Sequence, residues 1–354
     1  MSHAWLITGP PGSGRSVAAR AFAAALQCTG ATPGCGQCPG CRTTMGRTNA
    51  DVLFAATETS IINVETARSL VLQAQSSPSQ GLWRVIVVED ADRLGESGAN
   101  ALLKAIEEPP EHTVWLLCAP SPEDMIATIR SRCRHLGLRI PTAIAVADLL
   151  VREGIATPEV ALEAARAAQS HIGLARALAR DPQMRERRRS IITAPASVRS
   201  VGEAVMAADR LLETAKAQAD AQVSDRNARE KADLLRQLGM EESENATKAS
   251  RTMLRQLEED QKRRSKRALT DAIDRALIDL LAIYRDILMV QVGGDGELIN
   301  TDLSELVHQI AHDSTPHQTL ARVDHIETAR KRLVSNGNPL LVLEDMAISL
   351  RPQA

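Results

Sequence analysis

The chain has 354 residues, a formal net charge of −2 and an apolar content of 44%, with only 2% aromatic residues. Its length is sufficient for two or three domains, and its small net charge excludes a generally basic nucleic-acid-binding protein, although not a local basic patch. No apolar run approaches the roughly 20 residues that span a bilayer, and Gly and Pro interrupt the N-terminus where a secretory signal would be continuous. We therefore expect a cytoplasmic protein whose cysteines are reduced thiols or metal ligands.

The first motif in the chain is a glycine-rich stretch that separates an apolar run from an Ala-rich predicted helix. Its residues are Gly9, Pro10, Pro11, Gly12, Ser13, Gly14, Arg15 and Ser16. A strand, such a turn and a helix start together form a phosphate cradle, because glycines let backbone N–H groups approach an anion. In the strict pattern a Lys contacts the β- and γ-phosphates and a hydroxyl binds Mg²⁺. Ser16 keeps this hydroxyl but Arg15 replaces the Lys, so the motif alone indicates either a nucleotide site or an ordinary glycine-rich turn.

Four closely spaced cysteines follow the first predicted helix. They are Cys28, Cys35, Cys38 and Cys41, with Gly and Pro residues between them. Such a segment turns tightly enough to surround one tetrahedral ion, and a shell of four thiolates makes zinc structural because no ligand position stays open. The alternatives are two disulfides or a redox pair. A cytoplasmic chain with four rather than two cysteines favours Zn²⁺.

Two short apolar runs, residues 84–88 and 114–118, are typical of strands in a parallel sheet that is buried on both faces. The first run continues directly into Glu89 and Asp90. Carboxylates at this end of a parallel strand lie where α/β sheets bind ligands, and in a phosphate-cleaving site they hold Mg²⁺ and orient water. The alternative is an ordinary acidic helix cap. Helical patterns alternate with these runs, which predicts an α/β region with a parallel sheet.

Beyond Pro141 the pattern is helical throughout. Residues 142–192 contain short predicted helices, and a densely charged segment, about 218–267, is typical of a solvated helical hairpin or coiled arm. The basic run 262–267 indicates either contact with nucleic acid or an ordinary charged helix face. Apolar residues at helical spacing from Leu269 onward predict the core of a helical bundle.

The motifs occur in a fixed order along the chain. The glycine-rich stretch, the four cysteines and the acidic strand end are followed by N-A-L-L-K-A-I-E-E-P-P at 100–110 and by Ser-Arg-Cys at 131–133. In this order they resemble the bacterial clamp-loader subunits of DNA polymerase III, which are AAA+ proteins. The resemblance covers residues 3–180 well. It extends more weakly to the family's collar domain through Ser-Asn-Gly-Asn-Pro at 335–339.

This resemblance implies a fold and a set of domains. We expect an α/β AAA+ P-loop module with a parallel sheet over residues 1–141, in which the cysteine segment 28–41 is a zinc insertion. A helical lid is expected over residues 142–192. An all-α collar domain that includes the charged arm is expected over residues 193–354.

Within the family, the departures from the motor pattern are those of the delta-prime type of subunit rather than of gamma/tau. Glu89 and Asp90 reverse the motor's order of Asp and Glu, and Cys118 stands where the motor has a Thr sensor. A displacement of about an ångström in such a site costs on the order of 10²-fold in rate. We therefore expect intrinsic ATPase to be weak or absent, while ATP or ADP with Mg²⁺ are the ligands that the resemblance implies. Family members also carry a lead-in that helps to hold adenine, and only eight residues precede Gly9, so we expect an incomplete base pocket or a start further upstream.

The resemblance also implies roles for two arginines. Arg132 is implied to be an arginine finger that reaches the γ-phosphate bound by an adjacent subunit, an interaction worth roughly 10³–10⁵ in rate. Arg176 matches the family's second sensor, which contacts nucleotide from the lid. The ordinary alternatives are a cation at a helix C-terminus for Arg132 and a solvent-facing side chain for Arg176.

The resemblance also implies partners. A delta-prime subunit assembles with delta and gamma/tau and helps to load the sliding clamp on primed DNA as a component of the DNA polymerase III holoenzyme, with no polymerase activity of its own. Two other functions remain open on the residues alone. One is an ATPase motor like gamma/tau, and the other is a zinc-containing nucleic-acid-binding module.

Overall fold

The computed structural model describes residues 2–55, 61–198, 200–238 and 248–351. By its internal contacts the chain divides into two compact units. The first consists of Met1–Val146 and Ser170–Leu174, and the second of Ala147–Gln169 and Ala175–Ala354. No helix of the described segments is both long and apolar enough to cross a membrane.

A five-stranded sheet, parallel in every pairing, organises the first unit. Its strand order is β2-β3-β4-β1-β5, with β1 at its interior and β5 at one edge. The strands are β1 (Ala4–Thr8), β2 (Val52–Ala55), β3 (Arg84–Val88), β4 (Thr113–Ala119) and β5 (Arg134–Gly137). The helices that precede residue 131 are α1 (Arg15–Leu26), α2 (Pro39–Met45), α3 (Val64–Ala74), α4 (Glu96–Glu107) and α5 (Ala127–Arg130).

The sheet is buried on both faces, which explains why its central strands are almost entirely apolar. On one face, Ile86 and Trp115 pack with Leu102 of α4. On the other face, Val87 and Leu116 pack in the cluster that includes Ala19 and Ala23 of α1. Residues of one strand alternate between these two clusters because successive side chains of a strand point to opposite faces. The predicted fold class, a parallel α/β module followed by a large helical part, is thus confirmed.

The edge strand β5 was not predicted. Its residues Arg134–Gly137 are exposed and pair only with β1. An edge strand of mixed polarity lacks the apolar run that identifies β3 and β4 in the sequence.

The second unit is all-helical in its described part. A cluster of buried aliphatic side chains forms its main core, to which α10 and α11 contribute residues such as Leu212, Ile273 and Leu280. The helices from residue 143 onward are α6 (Ala143–Arg152), α7 (Pro158–Ala167), α8 (Ile172–Arg180), α9 (Pro182–Ser197), α10 (Val201–Gln237), α11 (Lys248–Gln291), α12 (Ser304–Asp313), α13 (Pro316–Val334) and α14 (Pro339–Ser349).

The two longest helices, α10 and α11, pack against each other in opposite directions. Arg264 donates from Nη1 to Asn227 Oδ1 at 2.7 Å and to Glu230 Oε2 at 2.8 Å, and Ala219 and Val223 lie in one cluster with Ala268. Within its described residues, the charged segment expected at about 218–267 therefore consists of parts of these two helices. Residues 239–247 of that segment lie outside the described residues.

Candidate nucleotide site and cysteine cluster

The glycine-rich stretch forms the loop between β1 and α1. Gly12 and Gly14 adopt φ values of 84° and 88°, a left-handed conformation in which residues other than glycine are strained. The loop is closed by hydrogen bonds from Ser13 N to Pro10 O at 3.0 Å and from Gly9 N to Pro120 O at 3.1 Å. Among the residues that the structure describes, no side chain caps the N-terminus of α1. A bound anion would therefore meet the first amide groups of this helix together with its positive dipole end.

Arg15, at the position of the strict pattern's Lys, turns back onto its own loop. Its Nη1 donates to Gly9 O at 2.8 Å. Burial raises the pKa values of Asp92 and Cys118, that of Cys118 to about 12. The nearby positive charge of Arg15 opposes this rise in both groups. Arg15 thus stabilises the conformation of its own loop, and its positive charge lies near the carboxylates that follow β3.

The acidic strand end lies in the same region as Arg15. The negative charges of Glu89 and Asp90 both act to raise the pKa of Cys118, which lies on β4. Glu89 Oε1 accepts a hydrogen bond from Arg47 Nη2 at 2.6 Å, and the Arg47 guanidinium lies over the Phe54 ring, 5.1 Å from its centroid. The structure therefore brings Arg15, Glu89, Asp90 and Cys118 together. It also adds Arg47, which the sequence analysis missed.

His171 covers the loop from a segment distant in sequence. A Cβ atom added at Gly12 would lie 2.2 Å from Cγ of His171, so the imidazole ring packs directly against the loop backbone. The ring is held by Nδ1, which accepts a hydrogen bond from Leu174 N at 3.1 Å. His171 was not predicted from the sequence. Its position five residues before Arg176, just ahead of the residues compared with the second sensor, was the one available signal.

Arg132 follows the short helix α5. Its Nη1 donates to Thr128 O at 2.7 Å, and its guanidinium forms an ion pair with Glu107, the last residue of α4. The side chain of Arg132 is 36% exposed and that of Glu107 is 42% exposed. Solvent therefore reaches this guanidinium, and its carboxylate partner belongs to the N-A-L-L-K-A-I-E-E-P-P motif.

Arg176 lies in the second compact unit. Its Nε and Nη2 donate to the two carboxylate oxygens of Glu153 at 2.9 and 2.7 Å. This bidentate contact raises the pKa of Arg176 and lowers the pKa of Glu153.

The basic run 262–267 is largely neutralised by its neighbours. Arg263 pairs with Asp260, Arg264 pairs with Glu230 and Arg267 Nε lies 3.6 Å from Asp271 Oδ2. These contacts are those of a charged helix face.

The four cysteines of the 28–41 segment converge. Their Sγ atoms all lie within 4.8 Å of one another, and Cys28 Sγ is 3.8 Å from Cys38 Sγ. All four are free thiols. A tetrahedral ion with metal–sulfur bonds of about 2.3 Å places its sulfur ligands about 3.8 Å apart, so this donor set fits a structural Zn²⁺ ion.

Backbone amides donate hydrogen bonds to the sulfur atoms of the cysteine cluster. Cys28 Sγ accepts from Gly30 N at 3.4 Å and Cys35 N at 3.5 Å, and Cys38 Sγ accepts from Cys41 N at 3.4 Å. These amides lower the pKa of Cys28 and lower that of Cys38 to about 5, whereas burial raises the pKa of Cys41 to about 12. Donation of amide hydrogens to sulfur stabilises thiolate, the form that binds metal.

The parallel sheet, the glycine-rich loop after β1 and the carboxylates after β3 define the class as an α/β module with a P-loop-like turn, followed by helices. Residues 1–142 match the family model described as DNA polymerase III, delta subunit. Over these residues the chain is similar to clamp-loader subunits of DNA polymerase III.

Relatives of two subunit types match this part of the chain. The delta' subunit of Pseudomonas aeruginosa is 34% identical over 166 residues, which are 46% of this chain and 51% of that protein. The gamma/tau subunit of Mycobacterium bovis is 35% identical over 158 residues, 43% of this chain and 27% of that protein. The matched region thus spans between about a quarter and a half of these curated relatives. A gamma subunit-related protein from Thermotoga maritima aligns with 99% of this chain and 95% of its own at 17% identity, with a TM-score of 0.44.

Proposed function

We propose that this chain is a delta-prime-type subunit of the clamp loader, which contributes Arg132 to ATP hydrolysis at a neighbouring subunit and hydrolyses little ATP itself. The observation that carries the proposal is the contrast between an altered loop site and a solvent-accessible Arg132. Both belong to the part of the chain that matches clamp-loader subunits.

Four features of the loop site support weak intrinsic hydrolysis. Arg15 is bonded to Gly9 O, Glu89 is paired with Arg47, Cys118 supplies no hydroxyl, and the His171 ring packs on Gly12. Each of them changes a group that a motor needs for phosphate contact, metal binding or sensing. Binding of ATP or ADP with Mg²⁺ remains part of the proposal, because Ser16 and the uncapped N-terminus of α1 are retained.

Arg132 has the chemistry required for action in trans. A guanidinium neutralises the charge that develops on a transferring phosphoryl group, and such fingers contribute roughly 10³–10⁵ in rate. Because Arg132 is more than one-third exposed, it can be approached by another subunit.

The rest of the proposal concerns the assembly. We propose that the chain joins delta and gamma/tau in the cytoplasm, and that the complex acts on the sliding clamp and primed DNA. We also propose that one Zn²⁺ ion held by Cys28, Cys35, Cys38 and Cys41 stabilises the segment next to α1. For Arg176, the pair with Glu153 supports a sensor role only if that pair opens when nucleotide binds.

The test uses a loader reconstituted with the variant Arg132→Ala. We expect its clamp- and DNA-stimulated ATP turnover to fall several-fold while the complex assembles normally on size-exclusion chromatography. The matched control is Arg130→Ala, which removes a guanidinium two residues away whose Nη1 donates to Pro122 O at 3.4 Å. Unchanged turnover with Arg132→Ala would reject the role.

A motor function is the second candidate. It is favoured by the gamma/tau relatives, which match at the same level of identity as the delta' relative, and by the retained Ser16 and Asp90. ATP turnover by the purified chain alone distinguishes the two. Brisk turnover that is abolished by Ser16→Ala would favour the motor.

A further inference from the structure

The helical unit contains a cavity that is unrelated to the loop site. It has a volume of about 400 Å³, which falls within the range of about 300–1,000 Å³ typical of small-molecule sites. Residues of α9, α11, α12 and α13 line it. Its wall is mainly aliphatic and includes Ile283, Ile287, Leu306 and Ile310.

One buried cation lines this apolar wall. Arg322 on α13 is only 8% exposed, and among the residues that the structure describes its guanidinium has neither a hydrogen bond nor an ion pair. Its guanidinium nitrogens are not among the fully buried atoms that lack a partner, so they reach the cavity although most of the side chain is buried. Guanidinium groups in such surroundings are ordinarily paired, and this one is available to an anionic partner from outside the chain.

A second polar group lies near Arg322. Tyr284 is 4% exposed and lines the same cavity, and its pKa is raised by burial to about 12, with the charge of Arg322 acting in the opposite direction. Its hydroxyl therefore stays protonated near neutral pH and can donate a hydrogen bond. The cavity thus combines one fixed positive charge, one hydroxyl donor and an apolar wall.

The charges around the cavity limit the charge of the ligand. Asp313 also lines it, but its carboxylate is 62% exposed and lies 3.1 Å from His312 Nδ1, so it is a group of the rim. One buried cation near a rim carboxylate suits a single negative charge better than a phosphate dianion. The planar fork of an arginine binds a carboxylate with two parallel hydrogen bonds.

We infer that this cavity is a binding site for a small monocarboxylate with an apolar body, in which Arg322 and Tyr284 bind the carboxylate and the aliphatic wall contacts the remainder. The site is independent of the proposed role of Arg132, because every residue that lines it belongs to the second unit, whereas Arg132 belongs to the first.

The composition of the chain provides a direct probe. Tyr284 is the single tyrosine among the 354 residues, so ring-labelled tyrosine gives NMR signals from the cavity alone. We would titrate the full-length chain with octanoate, with 1-octanol as a neutral ligand of the same length, and with inorganic phosphate. We expect octanoate to shift the Tyr284 signals saturably and to bind at least tenfold more tightly than 1-octanol, and we expect phosphate to cause no shift.

Variants then test the assignment to Arg322. Arg322→Met should weaken octanoate binding at least tenfold and leave 1-octanol binding within twofold of the wild type. Arg332→Met is the matched control, because Arg332 lies on the same helix and contacts the exposed Asp345 instead, at 2.5 Å. If Arg322→Met fails to fold, Arg322→Lys and the octanoate–octanol comparison in the wild type still decide. Equal binding of octanoate and octanol, no saturable shift, unaltered octanoate binding by Arg322→Met, or competition by phosphate would each overturn the inference.

Discussion

Arg132 is held by Glu107, so that the proposed arginine finger is docked on its own chain. The ion pair joins the turn after α5 to the last residue of α4, and both side chains are more than one-third exposed. Ion pairs as exposed as this contribute about 0–1 kcal/mol, because solvent screens them and two long side chains lose conformational freedom. The docking is therefore weak enough for a phosphate group on a neighbouring subunit to displace it.

Removal of the docking partner should release the finger. We expect Glu107→Gln to change the free energy of unfolding by less than about 1 kcal/mol and to raise stimulated ATP turnover of the reconstituted loader about two- to fivefold, since loss of a competing contact of up to about 1 kcal/mol corresponds to such a factor. The adjacent Glu108→Gln serves as control and should leave turnover unchanged. A fall to the level of Arg132→Ala would instead mean that Glu107 orients the finger.

The central strands of the sheet could be predicted from sequence because burial on both faces requires continuous apolar runs. Val85–Val88 and Val114–Ala119 are buried throughout, and each was recognisable as a strand. The edge strand β5 carries Arg134 and His135, and its residues are exposed. No periodicity marks such a segment, and its pairing with β1 is decided by the tertiary fold.

Motif spacing also located the loop site but not the contacts that alter it. Arg15, Glu89 and Cys118 were identified by their places in known patterns. Their behaviour depends on partners that are remote in sequence: Arg47 reaches Glu89 across 42 positions, and His171 packs on Gly12 from the other end of the unit. A single sequence carries no local signal for such pairs, since only the folded sheet brings them together.

The contact between Gly12 and His171 can be tested by a double-mutant cycle. We expect Gly12→Ala to destabilise the first unit by about 3 kcal/mol, because a left-handed φ costs about 1–2 kcal/mol and the new Cβ overlaps the His171 ring. In a His171→Gly background, which removes both the ring and the His171 Cβ that would lie 2.6 Å from the new atom, only the backbone cost remains, and this gives a coupling energy of about 1 kcal/mol or more. Urea unfolding followed by tryptophan fluorescence suits this measurement, since Trp5, Trp83 and Trp115 all lie in the first unit.

Gly14 offers a matched control for that cycle. Its φ of 88° is nearly the same, yet a Cβ at this position meets no atom within 4 Å. Gly14→Ala should therefore carry the backbone cost alone, and His171→Gly should not change it. Equal coupling of His171 to both glycines would contradict the packing described here.

Replacement of one cysteine should remove the metal. We expect the purified wild-type chain to contain about one zinc per chain by mass spectrometry of the metal, and Cys38→Ser to contain none and to show a lower thermal stability of the first unit, because binding energy in such sites is also folding energy. Cys133→Ala is the control, since Cys133 lies outside the cluster. A metal-free wild-type chain with unchanged stability would contradict a structural zinc site.

Zinc binding should also depend on pH with a defined sign. Backbone amides lower the pKa of Cys38 to about 5 and favour its thiolate near neutral pH, whereas burial raises the pKa of Cys41 to about 12 and favours its thiol. Binding must therefore expel at least the Cys41 proton, and the affinity should rise about tenfold per pH unit for each proton released. Calorimetry in buffers of different ionisation enthalpy counts these protons. If the affinity for zinc stayed constant over a range of about two pH units near neutral pH, proton release would be contradicted.

A buried carboxylate fixes the segment that leads into β3. Asp51 is fully buried and accepts four hydrogen bonds, from Ser79 N at 2.6 Å, Ser79 Oγ at 2.9 Å, Gln80 N at 2.7 Å and Gly81 N at 2.7 Å. Burial acts to raise the pKa of Asp51, but these donors outweigh it and hold the pKa below its usual value. The ionised form is thus the one that the fold stabilises.

We expect Asp51→Asn to destabilise the first unit by about 3 kcal/mol at pH 7. The NH2 group of the asparagine replaces one carboxylate oxygen and cannot accept the hydrogen bonds of the donors that face it. Since the pKa is lowered on folding, the contribution of Asp51 is complete above the unfolded-state pKa, about 4, and is lost as the pH falls through the folded-state pKa. The difference in stability between wild type and variant should therefore shrink in acid. Urea unfolding followed by tryptophan fluorescence measures it, with the exposed Glu111→Gln as control. A difference that stays the same down to the lowest pH at which the unit folds would show that the hydrogen-bonded carboxylate is not the source of the stability.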